Sequence, residues 1–114
     1  VRSIVVDMPQ MGQAAVMMGL PGVARTDAGF FPLLVANDVL GGGYSARLNA
    51  EIRIRRGLSY GARATLAARR QTGSLIAAAQ TNNTNVPDVI DLMGGELDRL
   101  GAQPIAPAEL EARK

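Results

Sequence analysis

The chain has no cysteine, no histidine and no tryptophan, and a single lysine among its twelve basic residues. The first absence excludes disulfide staples and thiolate metal sites and leaves the redox compartment open. The second removes the imidazole that serves many metal centres and general bases, so any chemistry in which this chain takes part borrows its metal or base from elsewhere. No apolar run approaches the ~20 residues that span a bilayer, and no charged segment leads into a signal-like stretch, so the domain reads as soluble with no membrane partner. Net charge is only +2, and eleven of the basic residues are arginine. The high isoelectric point therefore reflects residue type more than excess charge, and the bias to Ala, Gly and Arg reads as genome composition.

What is present, 114 residues at 47% hydrophobic, suits one globular domain with a modest core. The sequence opens on the apolar run Ile4 to Val6 with no starting methionine and stops at Glu109 to Lys114 within a young helix, so it reads as a fragment of a longer protein.

Ile4, Val5 and Val6, followed by Met8 and Pro9, predict a short strand ending in a turn. Gln13 to Gly19 predicts a second strand, apolar on both faces and hence buried on both. Leu20, Pro21 and Gly22 then break the chain. Thr26 or Asp27 suits the N-cap of a helix from about Ala28 to Leu40, with Leu33, Leu34, Asn37 and Leu40 at helical spacing. Gly41, Gly42 and Gly43 read as a tight corner where glycine tolerates positive φ. Ser45 is a candidate N-cap for the next helix, with Leu48 and Ile52 as its buried stripe and Gly57 just past its end.

Tyr60 to Ala68 and Gly73 to Thr81, joined by a turn at Arg69 to Thr72, predict a β-hairpin whose many alanines require close packing against helices. A last full helix starts near Pro87 and buries Val89, Ile90, Met93, Leu97 and Leu100; Gly94 and Gly95 within it weaken it or mark a close crossing. A further helix begins after Pro107. The order ββααββα defines an α+β fold, a mainly antiparallel sheet with helices packed on one face.

Three segments invite functional readings. Arg47, Glu51 and Arg55 are spaced by four, which suits a surface ion-pair ladder. Arg53 is different, because no acidic residue lies three or four positions away. A guanidinium near a helix C-terminus is already favourable with the helix dipole. Yet Tyr60 follows seven residues on, past the glycine turn, and a charged fork converging with a phenol suits an oxyanion or a peptide carbonyl. The competing reading for Tyr60 is a half-buried strand aromatic bonded to backbone. The triple glycine lacks the lysine of a phosphate loop and follows a helix, not a strand. The arginines 53, 55, 56, 63, 69 and 70 lack lysines and interleaved aromatics, so no nucleic-acid partner is expected.

The stretch LGGGYSARLNAEIRIRRGLSYG resembles the "LGGGxSSRLxxxLREKxGLxY" segment in the non-catalytic, C-terminal-type domain of the M16 metallopeptidases, the pitrilysin, insulysin and mitochondrial processing peptidase family. QAAVMMGLPG and PIAPAELEARK resemble its strand and its later helix start, so the likeness spans nearly the whole chain. Tyr44 stands where the family usually has phenylalanine, and Ile54 and Arg55 where it often has Glu-Lys.

The resemblance implies one truncated domain over residues 1–114, with the LuxS-like metallohydrolase fold. It implies proteolysis by a zinc site, HxxEH with a distant glutamate, in another domain; this fragment has no cofactor and no metal ligands of its own. The partner is then a zinc-bearing M16 domain, in cis or in trans, and the substrate a peptide. Arg53 and Tyr60 take the places of the donors to substrate backbone and oxyanion, inactive alone. Some members keep the fold only as a structural or partner-binding subunit, and that alternative stays open. The compartment is open too, bacterial periplasm or cytoplasm.

Overall fold

The computed structural model describes residues 3, 4 and 6–113. In chain order the elements are β1 (Gln13–Pro21), α1 (Phe30–Gly41), α2 (Arg47–Asn49) running on as a π-helix (Ala50–Arg55), β2 (Ala62–Ala68), β3 (Gly73–Asn82), a 3₁₀ turn (Asn83–Asn85), α3 (Val86–Ala102) and α4 (Pro107–Glu111). The strands form one antiparallel sheet in the order β1-β3-β2, with Val16 opposite Ala79 and Ala64 opposite Ala77. The α+β class and the antiparallel sheet expected from sequence are both present.

The first expected strand is not found among the described residues. Val5 lies outside them, and Ile4 and Val6 sit in irregular backbone, each 75% exposed. A strand needs a neighbour to pair its alternate amides and carbonyls, and the sheet ends at β1. The expected turn does form, the Met11 amide donating to the Met8 carbonyl at 3.2 Å.

β1 runs through Pro21, past the expected break, and only one of its faces is covered. Val16 is buried with Ala14 and Met18 half-buried beside it, whereas Met17 on the other face is 68% exposed. The inner face of the sheet is built from small residues, Ala62, Ala64, Ala77 and Ala79, with Leu75. Its bulk comes from the helices, where Leu40, Leu48, Ile52, Val89 and Met93 are fully buried. Short side chains on the strands let the helices come close, and the closest approach is at Gly41: a Cβ there would lie 2.1 Å from the Ala64 amide nitrogen. This corrects the expected use of the triple glycine. Gly57 is the one described residue with positive φ, at 62°. At Gly41 the requirement is space, not a left-handed backbone.

α1 starts two residues later than expected, with Gly29 as N-cap in place of Thr26 or Asp27. Asp27 closes the preceding turn instead, its Oδ1 accepting from the Gly29 amide at 2.7 Å. Pro32 costs nothing in the first turn, where amides have no intrahelical acceptor. Ser45 likewise yields the cap to Ala46, and its hydroxyl accepts from Arg113 Nη2 at 2.8 Å. In α3, Val89 and Met93 face the core as expected, but Ile90 is 42% exposed.

No close crossing occurs at Gly94 or Gly95, since a Cβ at either would meet nothing within 4 Å. Gly94→Ala is therefore expected to stabilise the domain by about 0.5 to 1 kcal/mol through helix propensity alone, read as a higher denaturation midpoint. A lower midpoint would show that the glycine serves a contact outside this chain.

Candidate functional site

The helix that carries Arg53 turns Leu48 and Ile52 fully into the core, which leaves Arg53 on the exposed side. From Ala50 to Arg55 the helix is widened to π geometry, a form that occurs mostly in short pieces and frequently at functional sites. Gly57 ends it in the role the sequence assigned: its amide donates to the Arg53 carbonyl at 3.0 Å, and the Leu58 amide to the Ile52 carbonyl at 2.8 Å.

The Arg53 guanidinium holds no ion pair among the described residues. It faces the Tyr44 ring at 5.2 Å from the centroid, a cation–π contact worth about 0.5 to 1 kcal/mol at an exposed site. Together they line an open groove of about 560 Å³, walled by Asn37, Asp38 and the glycine corner on one side and by β2 residues 62–66 on the other.

Tyr60 is not the half-buried strand aromatic that sequence left open: it lies before β2 and is 91% exposed. The backbone around it is tied down. The Thr81 hydroxyl donates to the Leu58 carbonyl at 2.5 Å, the Ser59 hydroxyl donates to the Gly61 carbonyl at 2.8 Å and accepts from the Gly61 amide at 3.1 Å, and the Ala62 amide donates to Asn49 Oδ1 at 3.3 Å. Tyr60 borders a second hollow, over the outer face of β1 and β3 at Met17 and Ala78. The two residues thus line separate hollows that adjoin at Ala62 and Arg63, which border both. No hydrogen bond joins them.

The expected ladder is only half formed. Glu51 pairs with Arg55, but Arg47 leaves it and makes a two-pronged bond to Glu109 of α4, at 2.7 and 2.8 Å. Its side chain is 7% exposed, and a nearly buried guanidinium needs a fixed carboxylate. That hydrogen bond holds the Glu109 carboxyl below its ordinary range and pushes Arg47 up, against the desolvation that opposes both. Two further partners escaped sequence reasoning, Tyr44 against Arg53 and Asn49 beneath them. An asparagine in a helix interior, where it is a weak former, was the available signal.

The residues present do not fit a zinc ion. The chain has neither His nor Cys, and no three Asp or Glu side chains converge among the described residues. No helix among the described residues is long and apolar enough to cross a membrane.

The arrangement is a helix-backed antiparallel sheet that presents hydrogen-bond donors and, among the described residues, no cluster of metal ligands, and the same fold occurs in peptidases. A structure described as the peptidase M16 inactive domain from Pseudomonas fluorescens superposes with a TM-score of 0.86 at 24% identity, over 90% of this chain and 25% of that one. A protease from Helicobacter pylori gives 0.84 at 19% identity, over 94% and 26%. An uncharacterized zinc protease of Streptomyces coelicolor is 35% identical over 98 residues, 86% of this chain and 21% of that protein. Residues 2–114 match the family described as Peptidase M16 inactive domain. The chain belongs to that family, and it spans about a fifth of the length of this curated relative.

Proposed function

We propose that this domain is the substrate-facing, non-zinc half of an M16-type zinc peptidase, with Arg53 and Tyr60 donating hydrogen bonds to the peptide backbone and to the oxyanion that develops at the scissile carbonyl. The zinc belongs to a partner domain, in the same chain or another. The observation that carries the reading is Tyr60 itself: an aromatic side chain left 91% exposed on a loop whose backbone is bonded on both sides. Arg53 adds a cation with no carboxylate partner among the described residues. Donors carried on a fixed backbone need little rearrangement to meet developing charge, which is what makes such donors catalytically strong.

In the zinc-bearing complete protein or reconstituted pair, Arg53→Ala and Tyr60→Phe are each expected to lower kcat on a peptide substrate by about 10²-fold with zinc content unchanged. Wild-type kinetics in both variants would remove the assigned roles. The same result would favour a second reading, an inert structural or partner-binding subunit. The observation on its side is the uncovered apolar surface, Met17 on the outer sheet face with Ile4, Val6 and Met8 before β1, each more than half exposed.

A further inference from the structure

We infer that Asn49 is a positioning residue for Arg53 and Tyr60, setting both through the two ends of one amide; the inference rests on the reading of that pair as the substrate-facing site. Asn49 is 4% exposed. Its Nδ2 donates to the Tyr44 carbonyl at 2.6 Å, and its Oδ1 accepts from the Ala62 amide at 3.3 Å. Tyr44 is the residue whose ring the Arg53 guanidinium faces. Ala62 begins β2, two residues after Tyr60. Asn49 also stands four residues before Arg53 on the same continuous helix.

One planar group therefore ties the Tyr44 corner, the Arg53 helix and the Tyr60 loop together at the place where the two hollows adjoin. The task needs a donor and an acceptor on a single short side chain. Among side chains of this size only asparagine supplies both from fixed, separate atoms; a carboxylate has no donor, and leucine has neither. On the far side, Tyr60's loop is held by Thr81, whose hydroxyl donates to the Leu58 carbonyl. Loss of the Asn49 bond thus frees one end of the loop and leaves the other anchored.

The test uses two variants of the complete protein that carries this domain. Asn49→Asp keeps an acceptor for Ala62 and loses the donor to Tyr44, whereas Asn49→Ala loses both. On a peptide substrate Asn49→Ala is expected to lower kcat by roughly tenfold to a hundredfold with KM little changed, since displacement of a positioned group costs turnover before binding. Added to the Arg53→Ala, Tyr60→Phe double variant it should cost almost nothing more. Asn49→Asp should be non-additive with Arg53→Ala and additive with Tyr60→Phe.

Amide hydrogen exchange supplies a readout independent of turnover: Asn49→Ala speeds exchange at Ala62 and across Gly43 to Ala46, and Asn49→Asp only across the latter. Full additivity with both site variants, unaltered exchange at Ala62, or exchange speeded uniformly through the sheet would each overturn the positioning role. If Arg53→Ala and Tyr60→Phe prove fully active, the substrate-facing reading fails, and the exchange pattern alone decides whether Asn49 sets the two residues.

Discussion

Gly41→Ala is expected to destabilise the domain by about 3 kcal/mol, at the upper end of what one added methyl costs in a packed interior. The new Cβ would lie 2.1 Å from the Ala64 amide nitrogen and 2.7 Å from the Arg63 carbonyl carbon, and both are backbone atoms that cannot rotate away. Relief requires α1 to lift off β2. That motion is opposed by Val39 and Leu40, the adjacent residues of α1, which are fully buried. Against a total stability of roughly 5 to 15 kcal/mol for a domain of this kind, the loss is a large fraction. Gly43→Ala is the matched control from the same corner. Its closest neighbour, at 3.1 Å, is the end of the flexible Arg113 side chain, so its effect should stay within about 1 kcal/mol. Equal urea midpoints for Gly41→Ala and the wild type would mean that α1 and β2 are not pressed together as described.

The second large effect concerns Glu109. Its removal in Glu109→Ala leaves Arg47 nearly buried and without its two-pronged partner, at an expected cost of about 2 to 3 kcal/mol. The range sits low because Glu109 keeps 30% of its side-chain surface in water and Glu96 still attracts Arg47. The pair also makes a pH prediction. The Glu109 carboxyl titrates lower in the folded chain than its ordinary value of 4.5, so its contribution is complete above that value and fades as pH falls through the lowered one. Glu109→Gln is therefore expected to be less stable than wild type at neutral pH, with the gap narrowing progressively as pH falls below 4.5, measured by denaturation midpoints across that range. A gap that stays constant down to pH 2 would place the interaction outside the carboxylate's charge.

Much of this fold is legible from local pattern, because period and punctuation decide local structure. The hairpin, the turn at Arg69, α3 from Pro87 and the left-handed Gly57 all follow from residue type and spacing. The errors lie where a partner distant in sequence decides. Ile4 and Val6 carry a strand pattern, but pairing is supplied by a neighbour and not by the pattern. Ile90 has the helical period of the core residues and still falls at the rim of the stripe.

The site divides the same way. The isolation of Arg53 from carboxylates could be counted along the helix, whereas the Tyr44 ring in front of it depends on how the glycine corner folds back. Arg47 was assigned to Glu51 by spacing, and it pairs instead with a residue 62 positions away. Burial chose between them, and burial is a tertiary quantity.

The π-helical stretch from Ala50 to Arg55 has a consequence for how sequences of this family can be aligned and edited. A π turn holds one residue more than the α turn it replaces, so it behaves as an insertion absorbed inside a helix. Deleting one residue there restores a regular α-helix: positions beyond the stretch keep their heading, because the wide turn had absorbed the extra residue, and only positions inside it are re-aimed about the axis. Leu48 would keep its seat in the core while Arg53 took a new heading. A one-residue gap between the leucine and the arginine is thus a change of aim, and two relatives that differ by it could share the same fold and point different side chains into the groove.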